Sequence, residues 1–375
     1  MAIAESVRER GRLVVERPGG IAVGAVIGYL LLDLLVKLSG TNLYFGGIKL
    51  IGGSLTIPSL GTMVLDGILV GLAVGLAGIG LSMTYSILDF ANFAHGDTVT
   101  AGAFFGWVVA YILAGVGTGA SLDQLFLFNS GEQLSAVTTL LPVLAGLVVA
   151  SVGSIVLVLL LDRLTYRPMR DSGSISLLIA SIGVALALRY GIAFVFGTQT
   201  SGVATSGLQV TLLALPSGTV TITDNELTLL VVSVVAMLGV HVLLQRTKLG
   251  KAMRAMADNE DLARVTGIPT ERVVRLTWIL GGGLAGMSGY LLVLESGTIS
   301  FNFGWLLLLL IFSAVILGGI GSIYGAMAGG VVIGLVDSMA LIWLPSGLTK
   351  ASAFFVLIVV LLLRPSGIFS GVTTA

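Results

Sequence analysis

The sequence predicts an all-α, polytopic integral membrane protein with about ten transmembrane helices, some of them short or broken. Three observations predict it. Of 375 residues, 56% are hydrophobic and only 10% charged, whereas an ordinary soluble domain carries about a quarter charged residues. Apolar runs long enough to span a bilayer recur along the chain. Basic residues collect in a few short segments between those runs, as expected where positive charge stays on the cytoplasmic side. The mean hydropathy of +1.06 agrees.

Taken in order, Arg8, Arg10, Arg12 and Arg17 precede a first apolar run at 21–38. No clean small-residue cleavage pattern follows, so the run reads as a retained helix with its N-terminus inside. Residues 1–20 are therefore expected to be a cytoplasmic segment and 21–375 a single transmembrane domain. A weakly basic connection, 39–60, leads to the second span, about 63–87, where Gly71 and Gly75 make a small-xxx-small step. The polar stretch LDFANFAHGD separates it from a third span, 98–114. After a non-basic connection, 115–138, the fourth span ends near Leu161. The loop DRLTYRPMRDSG, with Arg163, Arg167 and Arg170, is expected to be cytoplasmic.

The fifth span covers 175–196. Residues 197–226 contain no Lys or Arg, and β-branched runs around Pro216-Ser217-Gly218 suggest a small external hairpin. The sixth span, 227–244, enters a strongly basic loop, 246–275. The seventh, expected to be capped by Thr270 and Glu271, ends near Glu295 and carries Gly282, Gly286 and an Ala285/Gly289 pair. The eighth, 305–317, is short and stops at GGIGS. Gly321, Gly325 and Gly329 step up one face of the ninth, which reaches about Ile342, and the tenth covers 353–363. Ten spans starting inside put every basic segment on the cytoplasmic side and the three long non-basic connections outside.

Within the basic loop a short helix is legible. Asp258 is placed to accept from free N–H groups at its start, with Asn259, Glu260 and Asp261 favoured there by the helix dipole. Gly267 supplies a left-handed stop and Pro269 prevents continuation. Leu262 and Val265, followed by Ile268, share a face. Such a helix is either a surface for a motor subunit to push on or part of a solvated connection between two spans.

Ionisable residues in or beside the spans are Asp33, Asp66, Asp89, His95, Asp97, Arg189, His241, Glu295 and Asp337. They are functional candidates because burial in lipid is unfavourable. Either they are end-of-helix charges and structural pairs, or Asp33, Arg189, Glu295 and Asp337 form the relay of an ion-coupled carrier. His95 is either a solute contact or a tie at a break between helices. With no cysteine and two histidines, thiolate metal sites, thiol nucleophiles and a histidine-rich metal cage are not expected. No G-x-x-x-x-G-K-[ST], H-E-x-x-H or G-x-S-x-G motif is present, so the sequence points to a passage for a small solute rather than to an enzyme.

Four ordered motifs carry a resemblance. LDFANFAHGDTVTAGAFFGW, YRPMR, LGKAMRAMADNEDLARVTGIPTERV and VILGGIGSIYGAMAGGVVIGLVDSM with RPSGIF resemble the permeases of branched-chain amino-acid ABC importers over about 65–369. Urea and short-amide permeases are similar in the same places. The resemblance implies a multi-pass subunit of a prokaryotic plasma membrane, both termini cytoplasmic, paired with a second, related permease chain. It also implies two P-loop ATPases that use ATP and Mg, an external substrate-binding protein, no nucleic acid, and no cofactor in this chain. By position, Asp258, Asn259, Glu260, Asp261, Leu262, Ala263, Arg264 and Gly267, with Arg254 beside them, would contact an ATPase. Asn92, Phe93, Ala94, His95 and Gly96 would shape a helix break near the pathway. Gly318, Gly319, Gly321 and Ser322 would form its counterpart in the second half. Gly71, Gly75, Gly282, Gly286, Gly325 and Gly329 would pack the helices that shift. Residues 1–60 and 197–226 depart from the family pattern.

Overall fold

The computed structural model describes residues 18–45, 48–121, 133–364 and 367–368. Arg8, Arg10, Arg12 and Arg17 lie outside these residues, as does Phe369. The elements are α1 (Pro18–Leu38), β1 (Asn42–Phe45), β2 (Ile48–Gly52), α2 (Ile57–Leu88), α3 (Ala94–Thr118), α4 (Leu140–Leu161) and α5 (Ser174–Phe196). They continue with β3 (Ser201–Gly202), β4 (Gln209–Leu215), β5 (Gly218–Thr223), α6 (Asp224–Arg246), α7 (Lys248–Asp258) and α8 (Glu260–Val265). The last are α9 (Thr270–Ser296), β6 (Thr298–Ile299), α10 (Phe303–Gly318), α11 (Ile323–Met339) and α12 (Thr349–Leu363).

The chain is an all-α polytopic membrane protein. Among the described residues, 8 helices are long and apolar enough to cross a bilayer: α2, α3, α4 continued to Ser172, α5, α6, α9, α11 continued to Ile342, and α12 counted from Ser346. With the shorter apolar α10 and the 21-residue α1, the order of apolar helices matches the ten expected. Over their most apolar stretches α2, α3 and α9 are 72%, 67% and 78% buried, whereas α5 and α12 are 17% and 11% buried. The first three are thus the inner helices, and α5 and α12 turn most of their surface outward.

Glycine sets the closest contacts. A Cβ on Gly71 would meet the Val331 Cα at 2.7 Å and the Gly330 carbonyl at 2.9 Å, and Gly330 and Gly334 press back on Gly75, Gly71 and Gly67. This α2–α11 seam has backbone against backbone, which only small residues permit. On α9, Gly282 faces Val158 and Ser154, Gly286 faces Ala150, and Gly289 faces Val99. Gly318 and Gly325 abut across α10 and α11, and Gly329 abuts Ala314.

The two ends of the bundle differ. At one end the connections interlock through backbone hydrogen bonds: Leu134 N donates to Val203 O, Thr205 N to Leu134 O, and Val203 N to Gly297 O. The hairpin expected around Pro216–Gly218 is there, β4 pairing antiparallel with β5, and Val220 packs against Gly61 of α2. At the other end lie the turn after α4, the short helices α7 and α8, the C-terminal end of α2 and the N-terminal end of α9.

Several local expectations are corrected. The second span begins at Ile57, six residues early, because Thr56 caps it: its Oγ1 accepts from Ser59 N at 3.2 Å. The basic stretch after α4 is helical, a π turn over Asp162–Tyr166 followed by a 3₁₀ turn over Arg167–Ser172, with Pro168 in the first turn where its missing N–H is harmless. The connection after α1 contains the hairpin β1–β2, which the reading of 39–60 as a plain connection left out. Thr270 and Glu271 do not cap α9; Pro269 holds the cap position without a side-chain bond, and Glu271 is drawn to arginines instead. Gly321 is not on the α11 face with Gly325 and Gly329. It lies before the helix with φ +86.

Candidate functional site

The basic loop folds into two short helices. Thr247 starts α7, its Oγ1 accepting from Gly250 N at 3.1 Å, while Met253 and Met256 on its inner face are buried. Arg254 donates to the Leu244 carbonyl at 2.9 Å and ties α7 back to α6. Asp258 is the last residue of α7, so the expected cap shifts by one: Asn259 Oδ1 accepts from Leu262 N at 2.8 Å. Adjacent Asp and Asn are near-equal caps, and the turn geometry picks the second. Glu260 and Asp261 fill the first turn of α8, and Glu260 also pairs with Arg264 at 2.7 Å.

The end of α8 is fixed by the backbone. Gly267 adopts φ +86, its N–H donates to Arg264 O at 3.1 Å, and Ile268 N donates to Ala263 O at 3.0 Å. This pair of bonds is a Schellman stop, which needs a residue with no left-handed penalty at the turn. Ala263 is buried and anchors the helix, whereas Leu262 and Val265 are 61% and 85% exposed. Ile268 departs from the expected face and packs into the core instead.

Beside α8 the turn after α4 meets the start of α9. Arg170 binds both oxygens of Asp162, at 2.8 and 3.0 Å, and Glu271 at 2.6 Å, with Arg167 also 3.7 Å from Glu271. A cavity of about 370 Å³ lies among Asp89, Tyr166, Arg170, Glu260, Arg264 and Val274. The inner end of α2, the α4–α5 turn and α8 therefore share one polar chamber.

The first helix break covers 89–93. Asp89 stops α2 in the left-handed conformation, φ 52. Buried Asn92 then accepts from Ala94 N at 3.1 Å and from the Tyr166 hydroxyl at 3.2 Å, and Phe93 N donates to Ser181 Oγ at 3.0 Å. Tyr166 stacks on Trp278, ring centroids 5.2 Å apart. Ala94, His95 and Gly96 belong to the first turn of α3 rather than to the break. His95 Nε2 is 2.9 Å from Ala77 O, and a carbonyl only accepts, so this nitrogen carries the proton. Ala77 is eleven residues before the end of α2, about 16 Å at 1.5 Å per residue. The chain thus turns back into the bundle before α3 starts. Gly304 at the start of α10 packs on Gly96 and donates to Thr100 Oγ1 at 2.9 Å, so a second helix also begins there.

The other break, 319–322, follows Gly318. Gly319 and Gly321 have φ +105 and +86, and Ser322 caps α11 by accepting from Gly325 N at 3.0 Å. Ser86 Oγ donates to Gly321 O at 3.2 Å, joining this break to the inner end of α2, and Ile368 N donates to Leu317 O.

The sequence that builds this arrangement has counterparts among known proteins. The model of the family described as branched-chain amino acid transport system / permease component matches residues 63–363. The chain belongs to this family. It is 30% identical to the high-affinity branched-chain amino acid transport system permease protein LivH of Escherichia coli over 315 residues, which are 81% of this chain and 93% of that one. Pseudomonas aeruginosa BraD, a permease protein of the same description, is 29% identical over 81% of this chain and 94% of its own. A probable LivH of Methanocaldococcus jannaschii is 28% identical over 82% and 91%.

The family match leaves out α1 and the β1–β2 hairpin of this permease. They are latched to it by one buried carboxylate. Asp33 accepts from Gly52 N at 2.7 Å, Trp343 Nε1 at 2.8 Å and Lys37 Nζ at 2.8 Å. Both oxygens of Asp33 are thus engaged in structural bonds. His241 of α6 lies 2.7 Å from the Tyr324 hydroxyl at the start of α11. The permease also holds a buried ion pair missed from the sequence. Arg189 Nε and Nη2 donate to the two oxygens of Asp97 at 3.0 and 2.9 Å. Each residue stood out alone, but no local spacing links positions 92 apart.

Proposed function

We propose that the permease is the membrane subunit of an ATP-driven importer of branched-chain amino acids in a prokaryotic plasma membrane. The basic end faces the cytoplasm, as the distribution of Arg and Lys favours. Two P-loop ATPases using ATP and Mg engage the α8 region, a second permease chain completes the pathway, and an external binding protein delivers the solute. The observation that carries this reading is the exposed pair Leu262 and Val265 on a helix capped at both ends. A rigid helix showing apolar side chains to water at the cytoplasmic end fits a groove of a partner.

In this mechanism ATP binding draws the ATPases together and displaces α8. Ion pairs from Arg170 to Asp162 and Glu271 carry the displacement to α4 and α9. The α2–α11 seam is a surface across which helices shift. The test is co-purification from the native membrane followed by leucine uptake in vesicles. Wild type is expected to bring down two ATPase chains, and Leu262→Asp, which changes an exposed position, is expected to lose them while remaining inserted. Normal leucine uptake by Leu262→Asp would sink the docking assignment. Uptake of urea or a short amide in place of leucine would overturn the substrate.

A further inference from the structure

We propose that Arg189 offers Nη1 to the carboxylate of the solute as it passes through the membrane. The proposal rests on the importer reading above. Arg189 is 9% exposed and Asp97 is fully buried. Nε and Nη2 are taken by Asp97, while Nη1 makes no hydrogen bond to any described residue. Nη1 is also not among the buried polar atoms that lack a partner, so the small exposed part of the side chain includes it.

Depth decides what such a nitrogen can meet. Arg189 stands seven residues before Phe196, the last residue of α5, or about 10 Å below the helix end at 1.5 Å per residue. An arginine facing lipid there would extend its head toward the interface. Arg189 does not, because the two-pronged bond to Asp97 fixes its plane. The Trp305 ring lies flat beneath it, 4.3 Å from guanidinium carbon to ring centroid. A pinned guanidinium with a free donor needs an acceptor or water within the membrane.

The surroundings favour an anion. Asp97 neutralises the arginine, so no second buried carboxylate from a partner chain is required. Asp97 lies in the first turn of α3 and Trp305 in the first turn of α10, the two helices that begin against one another at Gly96 and Gly304. Their N-terminal dipoles add positive potential to an ion pair of zero net charge. Asp97 is sealed away from any ligand, so the contact is with the carboxylate of an amino acid and not with its ammonium group.

The experiment uses the complete transporter in lipid vesicles, with labelled leucine as probe. Asp97→Asn/Arg189→Gln replaces the ion pair by a neutral hydrogen-bonded pair. The expected result is assembly and ATPase activity stimulated by the binding protein, with leucine uptake lowered about tenfold or more. A purely structural pair predicts the opposite, restored uptake in the double variant when Arg189→Gln alone is impaired, and that result overturns the proposal. A second arm does not depend on the double variant folding. The chain has no cysteine, so Leu186→Cys, one turn from Arg189 and 44% exposed, is the sole thiol of this chain. Modification by a sulfonate-bearing thiosulfonate reagent, slowed by leucine, supports a water-filled route. An unreactive thiol means that lipid or the second permease covers this face, and overturns it. Wild type that accumulates no leucine counts against the importer reading. Wild-type uptake matched by the double variant counts against Arg189 alone.

Discussion

The two helix breaks do the same geometric job with different chemistry. Break 89–93 is held by side chains: Asn92, Tyr166 and Ser181 supply donors and acceptors from three parts of the chain. Break 319–322 is held by backbone: Gly319 and Gly321 take conformations open to glycine, and Gly318 lies directly on Gly325. A side-chain lock can be weakened one bond at a time. A backbone lock has no side chain to trim, and any added atom displaces a helix.

The largest effect therefore belongs to the glycine break. Gly318→Val places its Cβ onto the Gly325 carbonyl, and overpacking against backbone costs about 3 kcal/mol or more. The expected outcome is loss of a monodisperse peak in detergent chromatography. Asn92→Ala comes next. It strands the Tyr166 hydroxyl and Ala94 N–H, at roughly 2–4 kcal/mol for two unsatisfied groups, read as a lower thermal unfolding midpoint. Tyr166→Phe keeps the stack on Trp278 and the Asn92–Ala94 bond, so about 1 kcal/mol is expected. If Tyr166→Phe proved as harmful as Asn92→Ala, the hydroxyl would be the keystone of this break and Asn92 secondary.

The last comparison is one of sign, which is opposite at the two sites. Asp89 is an exposed non-glycine residue at φ 52, so Asp89→Gly is expected to stabilise by up to about 1 kcal/mol. Gly321→Ala, at φ +86 and with Ser86 Oγ 3.1 Å from the new Cβ, is expected to destabilise by about 1–2 kcal/mol. Paired thermal scans decide it. Equal signs would mean that the two turns are not under comparable backbone constraint.

This contrast also explains what the sequence made legible. GGIGS announced its break, because clustered glycines between two apolar runs admit left-handed turns. NFAHG announced a break too, but its Ala94, His95 and Gly96 are helical, since the polar, loop-like His95 is satisfied by the Ala77 carbonyl. The hairpin around Pro216–Gly218 was legible from local turn chemistry, and β1–β2 was equally open to it, since Gly46-Gly47 between two β-prone runs is a two-residue hairpin signal. The α8 cap was misplaced by one residue because Asp258 and Asn259 differ little in intrinsic preference. The pairs Arg189–Asp97, Arg170–Glu271 and Tyr166–Asn92 were out of reach for a simpler reason. Their partners are separated by 92, 101 and 74 positions, and nothing in a linear pattern brings them together.

The length of α2 has a mechanical meaning. Its 32 residues give a rod of about 48 Å at 1.5 Å per residue, against a hydrocarbon core of about 30 Å. Its C-terminal end carries Ser86 on the Gly321 turn, and its N-terminal end carries the contact between Gly61 and Val220. Such a rod acts as a lever. A swing of about 5° about its midpoint moves each end through roughly 2 Å, from the rise per residue. A nudge of that size at the Ser86 end would then reach the β4–β5 hairpin with its amplitude preserved, through a single element and without any chain of intermediaries.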